Sequence, residues 1–69
     1  MDENAIKQIG ERIRAIRQQK KISQEQLACK CSTDNSQVSR MELGKVNFTI
    51  SYLFCVAGAL KVHPSKILS

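Results

Sequence analysis

The chain has 69 residues, 42% of them hydrophobic and 25% charged, with one proline and three glycines. That composition excludes a disordered or fibrous polymer, and the length holds one domain at most, over 1–69, near the lower limit for a single hydrophobic core. Eleven Lys and Arg against six Asp and Glu leave a formal charge of +5, which points to a polyanionic partner, with nucleic acid ahead of a membrane surface. No apolar run approaches the roughly 18 residues of a spanning helix, and the opening MDENAIKQIG lacks the basic-then-apolar order of a signal peptide. The expected compartment is the cytoplasm, with no membrane partner.

Ile6, Ile9, Ile13 and Ile16 recur at helical intervals, which predicts a first amphipathic helix over 4–19. Gly10 inside it costs roughly 1 kcal/mol relative to Ala and marks a close approach by another helix. Ser23, with Gln26 three residues on, fits a capping box, and Ile22 is placed to staple onto Leu27. A second helix therefore starts there, buries Leu27, Ala28 and Cys31, and stops at the polar run 31–35.

Asp34 with Gln37 repeats the capping pattern and opens a third helix over 35–43, with Val38 and Met41 inward. Gly44 supplies the left-handed residue that ends it. A fourth helix is expected over 50–60, capped by Thr49, with Leu53, Val56, Ala57 and Leu60 on one face. A single-turn fifth helix follows His63-Pro64, its Ile67 and Leu68 folding back onto the core. No stretch alternates with period two, so the fold class is all-α, a compact five-helix domain.

Cysteines number three, and Cys29 and Cys31 lie two apart, where helical side chains diverge. A zinc site wants about four Cys or His at ligand spacings, and only His63 remains to add, so no metal is expected and reduced thiols are. A thiol switch at Cys29 or Cys55 lacks the cationic cluster that would activate it. His63 has no Ser, Cys or Asp pattern that would make it a base and reads as a helix cap. With no Gly-rich phosphate loop or paired carboxylates, neither catalytic residues nor a cofactor are expected, and the chain does not read as an enzyme.

Two short capped helices joined by a turn of about three residues, in a small basic all-α chain, describe a helix-turn-helix over about 23–44, whose second helix enters the major groove. Many small bundles share that generic arrangement. The residues are more specific: Ser23-Gln24-Glu25-Gln26-Leu27-Ala28, then Val38-Ser39-Arg40-Met41-Glu42-Leu43-Gly44-Lys45, resemble the Cro/repressor-type (XRE-like) helix-turn-helix family. The likeness covers about 9–68, taking in Arg14 and Arg17 upstream and Leu53, Ala57, Leu60 and Val62 downstream. It implies a repressor-like DNA-binding domain that recognises operator DNA, usually as a dimer, and regulates transcription. The chain departs from the family at Lys21, Ser32 and Lys61, where Gly is usual, and at Phe48, where Pro is common. A Lys at a left-handed position costs on the order of 1 kcal/mol, so lower stability or adjusted turns are expected.

At about 100° per residue, Val38, Met41 and Glu42 share the inward sector of the third helix, while Ser36 and Arg40 lie opposite and Gln37 on the flank. Asn35, at the N-terminal end, can pair bidentately with adenine. The Arg40 fork matches guanine O6 and N7, and equally a phosphate. Gln37 is either a base contact or the back half of its capping box. Asn35, Ser36, Gln37 and Arg40 are thus the candidate base contacts. Gln24, in the first turn of the second helix, suits a phosphate, and the resemblance implies the same role for it and backbone contacts for Lys45 and Asn47. The resemblance also implies a salt bridge between Arg17 and Glu42 that clamps the recognition helix.

The resulting expectation is a sequence-specific regulator of double-stranded DNA, a repressor in sign, binding a pseudo-palindromic operator as a homodimer. Phe48, Tyr52, Phe54 and Ile67 are left over once the core is filled and are the candidate dimer interface. The alternative is a protein-interaction module that keeps the fold and binds a protein partner through Phe48, Tyr52 and Phe54.

Overall fold

A computed structural model of the chain describes residues 3–46 and 49–68. Five helices follow in order, α1 (Glu3–Gln19), α2 (Gln24–Lys30), α3 (Asn35–Glu42), α4 (Ile50–Leu60) and α5 (Ser65–Leu68). There is no strand among the described residues. Asn47 and Phe48 lie outside them, so the roles expected of these two have no structural counterpart here.

The starts of α2, α3, α4 and α5 are each set by a local acceptor. Ser23 and Gln26 form a complete capping box, with reciprocal bonds of 3.0 and 2.8 Å. Asp34 accepts from the Gln37 N–H at 2.8 Å and Thr49 from the Tyr52 N–H at 3.1 Å. His63 Nδ1 accepts from the Ser65 N–H at 3.2 Å, which satisfies a donor that Pro64 cannot help to pair.

The four longer helices also end alike. Lys21, Ser32, Gly44 and Lys61 all have positive φ, between 54° and 73°. At each, its own N–H reaches three residues back, and the next residue's N–H reaches five back, as in Ile22 to the Arg17 carbonyl and Lys45 to the Arg40 carbonyl. This is the Schellman ending, which pairs otherwise orphaned carbonyls. Only one of the four uses glycine, so the departures at Lys21, Ser32 and Lys61 leave the turns unadjusted and place their cost in backbone strain.

α1 packs on α3, α4 and α5, and α2 on α3 and α4. The core between them holds Ile6, Ile9 and Ile13 of α1, Leu27 and Ala28 of α2, Val38 and Met41 of α3, the four inward residues of α4, and Ile67. Two expectations need correction. Cys31 is only half-buried, because α2 stops at Lys30 and Cys31 is its capping residue. Leu68 is exposed while Ile67 is fully buried, since a single turn separates neighbouring side chains by about 100° and can aim only one of them inward.

Candidate nucleic-acid interface

The third helix is placed by its contacts with α1. Val38, Met41 and Glu42 are buried, and a Cβ added at Gly10 would stand 2.7 Å from the Glu42 carbonyl oxygen, closer than real side chains come. Glycine at position 10 thus lets the two backbones meet. Gly44, at φ 73°, does the same at the end of α3, where an added Cβ would lie 2.8 Å from the Lys7 Cα.

A polar lock adds to this seam. Arg17 Nε donates to Glu42 Oε2 at 2.6 Å and its Nη2 to Oε1 at 3.1 Å, both groups being buried, while Nη1 donates to the Ile22 carbonyl at 2.8 Å. Gln24 Nε2 also donates to Glu42 Oε1, at 3.1 Å. One carboxylate on α3 therefore ties together the end of α1 and the start of α2, and Arg17 itself holds the turn between them. A bidentate, charge-assisted pair of this kind fixes orientation as well as proximity.

With that face engaged, the opposite face of α3 is free. Asn35, Ser36 and Arg40 are exposed, and Gln37 and Ser39 are half-buried. Leu43, just past the helix end, is also exposed. The Gln37 side chain does not return a bond to Asp34, so the second capping box is only half made. Lys45 is exposed just beyond the helix. Gln24 is half-buried, with one amide hydrogen committed to Glu42 and the second left over, since a side-chain amide carries two.

The residues expected at a dimer interface separate. Ile67 is fully buried in the core and offers no surface, because α5 must supply the residue that closes α1 from below. Tyr52 is half-buried, and its hydroxyl oxygen is buried beside Thr33 without a well-formed hydrogen bond. Burial first, then the Cys31 thiol, push the Tyr52 phenol up. Phe54 remains exposed at 57%, and one turn earlier Ile50 is exposed at 72%. Ile50 is Phe54's neighbour at i, i+4, so the spacing alone could have added it to the candidate interface. The Gln24 link to Glu42 had no signal in the sequence.

The chain matches the helix-turn-helix family pattern over residues 13–67. It is 40% identical over 60 residues to an immunity repressor protein of Bacillus phage phi105, covering 87% of this chain and 42% of that protein, so it spans less than half the length of that relative. The restriction-modification controller protein C.AhdI of Aeromonas hydrophila superposes with a TM-score of 0.89 at 31% identity, over 94% of both chains. The P22 c2 repressor, solved in complex with a synthetic operator, superposes with a TM-score of 0.80 at 31% identity, over 88% of this chain and 92% of that one. By that match, which takes in α2, the turn and α3 together, the chain belongs to the helix-turn-helix family of DNA-binding transcription regulators, of the Cro/repressor (XRE) type.

Proposed function

We propose that the chain is a sequence-specific repressor that inserts α3 into the major groove of double-stranded operator DNA. The observation that carries this reading is the division of α3 into a buried, locked face and a free polar face. Val38, Met41 and Glu42 are buried, Glu42 against Arg17 of α1, and Asn35, Ser36 and Arg40 are left exposed. Asn35 suits adenine and Arg40 suits guanine, with Ser36 and the half-buried Gln37 beside them. Lys45 and the second amide hydrogen of Gln24 are assigned to phosphates on either side. The likeness to the P22 c2 repressor, solved in complex with a synthetic operator, supports the same docking.

Homodimerisation belongs to this reading. The chain measures 28 × 23 × 20 Å, less than the roughly 34 Å between half-sites one helical turn apart, so one copy serves one half-site. The surface for a second copy is α4 at Ile50 and Phe54. None of its eleven residues is charged, and a chain of charge +5 meets its copy with least repulsion there. The same exposed pair favours a second reading, a protein-interaction module.

Selection of bound sites from a random DNA pool tests the proposal. Enrichment of a two-fold-related sequence is the expected result, with binding that weakens steeply as salt rises. Failure to enrich any sequence, or binding indifferent to salt, would favour the interaction module.

A further inference from the structure

Lys7 belongs to the first helix, yet the fold sets it at the end of the third. A Cβ added at Gly44 would stand 2.8 Å from the Lys7 Cα, 3.1 Å from its Cβ and 3.2 Å from its backbone nitrogen. The backbone of α1 at Lys7 therefore lies directly against the residue that ends α3. Lys45, next after Gly44, is exposed, and so is Lys7. On the wheel of α1, at about 100° per residue, Lys7 stands about 60° to one side of Gly10, with Ile6, Ile9 and Ile13 about 40–100° to the other. Gly10 meets α3 and the three isoleucines enter the core. Lys7 thus leaves α1 on the side of the seam turned away from the core, as the free face of α3 is.

The Lys7 charge is uncommitted. Among the described residues the ion pair is that of Arg17 with Glu42, and Lys7 is not bonded to Glu11, the exposed acid one turn along α1. Other cations are engaged or lie elsewhere: Arg12 donates to the Ile67 carbonyl at 3.3 Å, and Lys20 and Lys66 flank a cleft over Ile16 and Val62 at the opposite end of α1.

A DNA strand passing the end of α3 would meet an adverse field, because the last carbonyls of a helix carry roughly half a negative elementary charge. The Schellman bonds from Gly44 and Lys45 pair two of those carbonyls but bring no net charge. Against that end Lys45 alone leaves a surplus of only about half a positive charge, and Lys7 raises it to about one and a half. Each lysine is a point charge on a flexible four-carbon stem, so two of them on neighbouring backbones suit successive phosphates.

We infer that Lys7 is a DNA-backbone contact, forming with Lys45 a two-lysine subsite for successive phosphates of one strand at the C-terminal end of α3. The inference rests on the DNA-binding reading above and adds to it a contact supplied by α1.

The test measures binding of the full chain to a random-sequence duplex and to the selected operator from about 50 to 200 mM salt. The unchanged chain is compared with Lys7→Ala, Lys7→Arg, Lys45→Ala, the double alanine variant and Lys66→Ala. Lys66 shares its cleft with Gln19, about 18 Å along α1 from Lys7, so its removal takes away the same charge at more than the screening length of about 10 Å. Lys7→Ala and Lys45→Ala should each reduce the slope of log affinity against log salt by about 0.9, and the double variant by about twice that, on both duplexes. Lys7→Arg and Lys66→Ala should keep the slope of the unchanged chain, and Lys7→Ala should keep its thermal midpoint. A slope unchanged in Lys7→Ala, or lowered equally in Lys66→Ala, would overturn the inference while a response to Lys45→Ala leaves the DNA-binding reading standing. Absence of salt-dependent binding by the unchanged chain would overturn both.

Discussion

Arg17 and Glu42, 25 residues apart in sequence, meet through two hydrogen bonds in a buried setting between α1 and α3. Removing one partner strands the other charge. Glu42→Ala should lower stability by about 3–5 kcal/mol, and an apolar replacement of both residues should recover much of that loss. Urea denaturation of the two single variants and the double variant checks this, and coupling near zero would show that the pair does not interact.

For DNA binding, the expected pattern separates residues by what they touch. Arg40→Ala and Asn35→Ala should each cost about 1–3 kcal/mol on the selected operator and much less on random DNA. Lys45→Ala should weaken binding on all sequences and reduce the salt slope by about one. Equal losses on both kinds of DNA for Arg40→Ala would move Arg40 to the phosphate class.

Two glycines should respond oppositely to the same change. Gly10→Ala gains helix propensity but drives a methyl into the α3 backbone, so a net loss of about 1–3 kcal/mol is expected. Gly58, whose added Cβ meets nothing within 4 Å, should gain about 0.5–1 kcal/mol on the same substitution. Thermal unfolding of both variants decides whether the α1–α3 contact is as close as described.

The strained helix ends offer a further measurement. Lys21→Gly and Lys61→Gly each relieve a left-handed residue and should stabilise the chain by about 0.5–1 kcal/mol, the relief being partly offset by the freedom glycine brings to the unfolded chain. A loss at both sites would contradict the assigned conformations.

Alkaline stability follows from the partial burial of the Cys31 thiol. The Cys31 proton leaves the unfolded chain near 9 and the folded chain near 12. Within that window the folded state holds a proton that the unfolded state has released, so stability is full below pH 9 and falls as pH rises toward 12. Tyr52, also raised, acts in the same direction. Urea titrations of the reduced protein on either side of pH 9 should show the fall, and Cys31→Ala should make it shallower.

Helix order, caps and most of the core were legible because each rests on residues close in sequence. The intervals of Ile6, Ile9 and Ile13 marked one face of α1, and the α4 bounds 50–60 were set by Thr49 before it and Leu60 at its end. What could not be read depended on which distant surfaces meet. The sequence assigns Ile67 both to the core and to spare apolar surface, and only the packing of α5 on α1 decides for the core. Gln24 looked free until α3 brought Glu42 to it. The orientation of α3 was accessible from its helical wheel, whereas the backbone contact that enforces it had Gly10 as its sole trace.

The seam at Gly10 and Glu42 has a bearing on how this chain can diverge. Since the two helices are fixed backbone to backbone and by a buried ion pair, α3 has little freedom to roll or tilt in adapting to a new surface. Positions 35, 36 and 40 stand clear of that seam, and exposed substitutions of this kind usually shift stability by no more than about 0.5 kcal/mol. The scaffold and its outward lettering are therefore separable. A library randomised at these three positions should stay largely folded while its members differ in what they recognise, and new preferences would arise by exchanging side chains on an unmoving helix.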